Sequence, residues 1–143
     1  MKSLTMARQA MNTIVGIVPQ ATLNRTSYCA IVVKLANGNR VVVVAEAGAT
    51  ASGINGPLVT SIDLALGGPA VIPCAFTIQG QGTWHMNDAE QQAIRTIQTQ
   101  PTFVGAQIRA AKANRTICGM CQFTLNQLGL IINGADDSEA YVP

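Results

Sequence analysis

Apolar and polar positions change their period several times along the chain, and each change marks an element. Met6, Met11, Ile14, Val15 and Val18 fall near one face of a helix, which predicts a helix over residues 4–18 that stops at Pro19. From Cys29 the chain reads Cys-Ala-Ile-Val-Val-Lys-Leu, then Asn37-Gly38-Asn39, then Arg40-Val-Val-Val-Val-Ala-Glu46. Two β-branched runs around Asn-Gly are the strongest hairpin signal in the sequence. Val41 to Val44 is apolar at every position. That suits a strand covered on both faces, so helices are expected on each side of the sheet.

The pattern is weaker over residues 47–80, which are rich in Gly, Pro, Ala, Ser and Thr. They read as a long connection with a short helical piece near Ser61–Leu66 and a strand near Val71–Ile78. Residues 87–97 then predict a helix, and both Asn87/Glu90 and Asp88/Gln91 fit a capping box at its start. Pro101 ends that stretch. Val104–Ile117 reads as a strand with its flanking turn, or as partly helical, and carries Arg109, Lys112 and Arg115 at intervals of three. Cys118–Leu128 predicts a helix closed by Gly129, Leu130–Asn133 a short strand, and Asp136, Asp137 and Glu139 an exposed tail. Strands and helices alternate in this second half, which points to an α/β layer architecture. Residues 1–143 are expected to form a single domain.

Composition narrows the function classes. Charged residues are 11% of the chain, under half the usual share of roughly 25%, while apolar residues are 48%. That excludes a disordered tail, a collagen-like chain and a coiled coil. No apolar run is long enough for a spanning helix, so no membrane partner is expected. Lys2 and Arg8 with Gln9 and Asn12 make a poor leader sequence and a better amphipathic helix. The formal net charge of +2 is too small to argue for nucleic acid by itself. It is uneven: residues 1–80 hold five basic and two acidic groups, and residues 81–143 hold four basic and five acidic groups. The one histidine is His85, and there is no Gly-x-Ser-x-Gly elbow to pair with it.

Cysteine placement carries the chemistry. Cys29 and Cys74 are isolated in apolar surroundings and read as core, whereas Cys118-Gly-Met-Cys121 places two sulfurs on the first turn of a helix. The helix dipole there favours thiolates, the form that binds metal. A redox pair would be expected early in the fold, after the first strand, and this pair lies near the end of the chain. A structural zinc site would want four protein ligands, and no second Cys-x-x-Cys or His pair exists. A catalytic zinc needs three, and Asp88 or His85 offers the third. Set against this, Asp88 serves as an ordinary N-cap, Glu90 as a solvated first-turn acid, and the thiols as small buried apolar groups.

Asp88-Ala89-Glu90 followed 30 residues later by Cys118-x-x-Cys121 resembles the zinc-dependent cytidine/nucleobase deaminase superfamily. There one helix opens with ligand-x-Glu and the next with Cys-x-x-Cys. The order helix, hairpin, ligand helix, strand, cysteine helix, strand also looks like that fold. The resemblance implies a three-layer α/β/α domain with a mostly mixed central sheet. It implies Zn2+ held by Asp88, Cys118 and Cys121, Glu90 as the acid/base group, and Trp84 and His85 against the base. Arg109, Lys112 and Arg115 would contact phosphates. Cys-Gly-x-Cys without a preceding proline is more similar to the bacterial polymorphic-toxin deaminases. That subgroup implies a secreted or delivered effector acting on cytosine in single- or double-stranded DNA in the target-cell cytoplasm, with an immunity protein as a further partner. RNA or a free nucleotide is the other substrate class, and a deaminase-like binding module without activity is the rival reading. Two departures bear on it. Asp88 stands where the family most often has His, which adds a negative charge and weakens the acidification of water by zinc. Ile117 stands in place of the usual proline.

Overall fold

β-branched side chains fill the two strands that organise the fold, β1 (Tyr28–Lys34) and β2 (Arg40–Glu46), which pair antiparallel from Tyr28↔Glu46 to Lys34↔Arg40. The structure is a computed structural model that describes residues 2–48, 54–78 and 86–143. At the hairpin tip Asn37 Oδ1 accepts from the Asn39 N–H at 2.9 Å, and Gly38 takes φ 90°, the left-handed value that glycine adopts without a Cβ clash. Around this hairpin lie α1 (Ser3–Ile17), α2 (Gln20–Arg25), α3 (Gly56–Leu66), β3 (Val71–Pro73), α4 (Ala89–Thr99), β4 (Gln107–Ala113), α5 (Gly119–Gln127), β5 (Ile131–Asn133) and β6 (Glu139–Tyr141).

The six strands form one mixed sheet in the order β3-β2-β1-β4-β6-β5. β3 pairs parallel to β2, and the other pairs are antiparallel. Because β5 and β4 both run antiparallel to β6, α5 carries the chain back along the sheet between two strands of the same direction. Alternation along β1 and β2 sorts the core. Cys29, Ile31, Val33, Val43 and Ala45 face α4 and α5, meeting Ala89, Ala93, Ile94, Ile97, Cys121 and Leu125. Ala30, Val32, Val42 and Val44 face α1, α2 and α3, meeting Ala7, Ala10, Met11, Ile14, Leu23, Leu58 and Ile62. Helices therefore pack on both faces of a central mixed sheet, the three-layer α/β/α arrangement that the all-apolar Val41–Val44 run predicts. Each large side chain so buried contributes about 1.5–3 kcal/mol. Among the described residues no helix is long and apolar enough to cross a membrane.

Several elements differ from the sequence reading. Pro19 stops α1 and also starts α2, because its carbonyl accepts from the Thr22 and Leu23 N–H groups. Of the strand expected over Val71–Ile78 only Val71–Pro73 forms, followed by one more bond from the Cys74 N–H to the Val44 carbonyl. Val104–Ile117 resolves as the strand β4, with a register shift opposite Val32/Val33 that leaves Arg109 as the extra residue of a bulge. Gly129 closes α5 as expected, at φ 90°, with the Leu130 N–H bonded to the Leu125 carbonyl. The tail is only half exposed. Asp136 and Asp137 are in solvent, but Glu139 opens β6 and is buried. Its carboxylate accepts from Arg8 Nε at 2.7 Å and Nη2 at 2.8 Å, and Lys112 Nζ lies 3.6 Å away. These partners hold the Glu139 carboxyl below its ordinary range, Arg8 most of all.

A buried amide fixes the start of α4. Gln92 is 0% exposed, and its Nε2 donates to the carbonyls of Asn87, Glu46 and Gly48 at 2.7, 2.9 and 3.0 Å. Asn87 in turn pairs with the backbone of Ile78, accepting its N–H at 2.7 Å and donating to its carbonyl. The end of β2, residue 78 and the first turn of α4 are thus joined through two side-chain amides. Gln92→Met keeps the volume and removes the amide donor from all three carbonyls, of which that of Asn87 keeps the Gly48 N–H. It should cost about 1–3 kcal/mol in urea unfolding, and a loss under about 0.5 kcal/mol would show that the amide is not the fastener.

Candidate metal centre

Two helix N-termini meet on the face of the sheet covered by α4 and α5. Asp88 is the N-cap of α4 and Cys118 the N-cap of α5, and neither side chain makes a capping hydrogen bond. Both expected capping boxes are absent. Asn87 is engaged by Ile78, and Gln91 points toward α5. The Asp88 carboxylate instead faces the thiols. Its Oδ2 lies 3.3 Å from Cys118 Sγ and 3.6 Å from Cys121 Sγ, and the two sulfurs are 3.3 Å apart without a disulfide. All three ligand atoms lie within 4.8 Å of one another.

The S···O edges are those of a tetrahedral coordination shell, and the S···S edge is about 0.5 Å shorter than such a shell needs. Tetrahedral bonding by thiolates at about 2.3 Å and a carboxylate oxygen at about 2.0 Å needs S···S of about 3.8 Å and S···O of about 3.5 Å. The donor set therefore fits a divalent cation with a fourth position left open. Among the described residues this is the one cluster of three or more His, Cys, Asp or Glu side chains able to hold a metal ion.

Electrostatics point the same way. Glu90 is 5% exposed, and burial pushes its carboxyl above the ordinary range. Its own backbone N–H opposes that rise, the Asp88 charge adds to it, and the Cys121 thiol opposes it. Cys121 is raised strongly, first by burial, then by Glu90, Cys118 and Asp88. The helix dipole expected to favour a thiolate at Cys121 is outweighed by burial and by the neighbouring acidic groups. Without a compensating cation the protonated forms of Glu90 and Cys121 are favoured, and a bound cation reverses that preference.

Side chains around the triad complete the centre. Gln91 Nε2 donates to Thr124 Oγ1 at 3.0 Å and reaches Cys121 Sγ at 3.8 Å, a contact that holds the sulfur and draws charge from it. Asp88, Glu90 and Cys118 line a cavity of about 150 Å³ with Ser27, Thr116 and Arg115. Cys74 is buried, its sulfur 3.0 Å from Thr96 Oγ1, and Cys29 is fully buried with its thiol raised by burial, so both are core as expected. Trp84 and His85 lie outside the described residues. The three basic residues separate: Lys112 is bound to Ser138 and Glu139, Arg109 lines a cavity of about 610 Å³ at the other end of β4, and Arg115 stays at the centre.

Sequence reasoning missed Gln91 and Gln92 as organisers of the site. A signal was present. Glu90-Gln91-Gln92 is a polar run between Ala89 and Ala93 on a helix whose apolar face is narrow, and all three side chains are buried. The chain matches no protein-family model, no curated protein and no solved structure.

The raised Glu90 carboxyl has a consequence for the metal-free protein. A folded-state pKa above the unfolded value makes stability fall as pH rises from about 4.3 through the folded pKa. Glu90→Gln removes that penalty. In chelator-treated protein it should be more stable than the wild type at pH 7, with the gap closing toward pH 4. Urea midpoints across pH check this, and a gap that stays constant with pH would mean that folding leaves the Glu90 pKa unshifted.

Proposed function

We propose that this chain is a zinc-dependent hydrolytic deaminase of a nucleobase, converting cytosine to uracil in DNA. The observation that carries the reading is the convergence of the Asp88, Cys118 and Cys121 donor atoms within 4.8 Å, with the buried Glu90 on the same cavity. The order of elements, with a hairpin ahead of the ligand helix and a strand between it and the cysteine helix, agrees with the deaminase resemblance.

Asp88, Cys118 and Cys121 would hold the ion. When bound, zinc supplies a Lewis acid that lowers the pKa of water at its open position. Glu90, two residues from Asp88 and kept from solvent, takes a proton from the attacking water and hands it to the ring nitrogen. The water oxygen adds to C4, Glu90 then takes the remaining proton from the new C4 hydroxyl and delivers it to the exocyclic amine, and the C–N bond breaks to release ammonia as the C4 carbonyl forms. A carboxyl raised by burial suits this work, because its two forms lie closer in energy near neutral pH. Aspartate in place of histidine adds a negative charge, and the Gln91 donor on Cys121 offsets part of it. The residue pattern around the cysteines favours a toxin effector delivered into a competing cell, guarded in its producer by an immunity protein.

The same added charge supports a second reading, a metal-holding module without turnover. Metal content and activity separate the two. Purified chain should carry one zinc. Asp88→Ala should lower zinc affinity by tenfold or more, and His85→Ala should leave it nearly unchanged. Uracil formation on single- and double-stranded DNA should fall by about 10²–10⁴-fold in Glu90→Gln. Deamination that survives loss of Glu90 contradicts its role, and a zinc-loaded chain inert on every cytosine substrate establishes the binding module. Greater zinc loss in His85→Ala moves the third ligand to that residue.

A further inference from the structure

Of three basic side chains on or just after β4, one stands at the metal cavity. Lys112 is bound to Glu139 and Ser138, and Arg109 lies at the opposite end of the strand. Arg115 lines the cavity beside Asp88, Glu90 and Cys118. Its guanidinium is anchored, since Nη2 donates to the carbonyls of Leu23, at the end of α2, and of Thr26. Those bonds use both Nη2 hydrogens and leave the Nε and Nη1 donors, with the full positive charge, for another acceptor. Among the described residues Arg115 forms no ion pair, although it shares a cavity with two carboxylates.

The space around it has two parts. The metal cavity is about 150 Å³, room for about five waters or one flat ring. Arg115 also lines a second cleft of about 410 Å³, with the amides of Gln20, Asn24 and Asn114 on its walls. A cation held at the boundary of a small acidic cavity and a larger amide-lined cleft suits a ligand with an anionic joint between two parts. A nucleotide has that form, with its base on one side of a phosphate and the neighbouring residue on the other.

The geometry points to Arg115 as the phosphate contact of this centre, and so to a phosphate-bearing nucleotide as its substrate rather than a free base or nucleoside. The identity of the base rests on the deaminase reading above, and the phosphate contact does not. The probes are deoxycytidine, dCMP and a short single-stranded DNA with one cytosine. Binding of the labelled DNA is followed by fluorescence anisotropy over a KCl series. Losing one phosphate contact on a single strand should make the slope of log K against log salt shallower by about 0.7 in Arg115→Gln. KM for the DNA should rise, with kcat and the deoxycytidine KM unchanged. Arg109→Gln should behave as wild type. Arg115→Lys keeps the charge and gives up the carbonyl anchors, so a slope kept there and lost in Arg115→Gln reads charge and not folding. An Arg115-dependent KM for dCMP assigns the contact to a single nucleotide's phosphate, and dependence on the DNA alone assigns it to the strand. An unchanged slope in Arg115→Gln, or an equal loss in Arg109→Gln, overturns the proposal. If no substrate releases ammonia, the deaminase reading fails, while the salt slope still decides Arg115.

Discussion

Six of the seven residues of Tyr28–Lys34 are buried, and the strand is flanked by β2 on one edge and β4 on the other. A strand with two dry faces needs a layer of helices on each, and the rest of the molecule supplies them. On one face Ala7 and Ala10 of α1 sit over Ala30 and Val32, small against medium, so the helix lies close to the sheet. On the other, Ala89 and Ala93 of α4 do the same over Cys29 and Ile31. That close approach brings the first turn of α4 down beside Cys29, whose thiol senses the Glu90 charge. The position of the acidic cluster is a by-product of how the central strand is covered.

The cluster itself runs against the preference of the fold. Burying carboxyls and thiols together costs free energy, and neutral donors among the described residues meet part of that cost. Gln91 reaches a sulfur, and the amides of Gln92 and Asn87 hold backbone in place around the helix start. Arg115 approaches but is tethered to carbonyls of another segment. Such an arrangement gathers one carboxylate and two thiols at one point, a donor set able to take a cation from solution.

Much of this was legible in the sequence where local pattern and local geometry coincide. The Asn-Gly turn between two β-branched runs specifies the hairpin, and the unbroken Val41–Val44 run specifies burial on both sides. Cys118-x-x-Cys121 at a helix start could only place its sulfurs together, and Asp88 ahead of Glu90 offered a partner carboxylate. The failures came where partners are remote. Glu139 looked like an exposed tail acid because Arg8 is 131 positions away, and Gln91 looked like a cap because its true neighbour, Thr124, belongs to another helix. Pro19 marks a helix end in the local pattern, yet its carbonyl also opens the next helix.

The Arg8–Glu139 bond has a kinetic meaning as well as an energetic one. It fastens the first helix to the last strand, so the sheet beside β4 cannot close until nearly the whole chain is available. A topology whose end segments must find each other folds more slowly than one built from neighbours, because the loop-closure entropy is spent before the contact forms. Shortening either end would then act on one shared seam, and the two lesions would weaken the same joint.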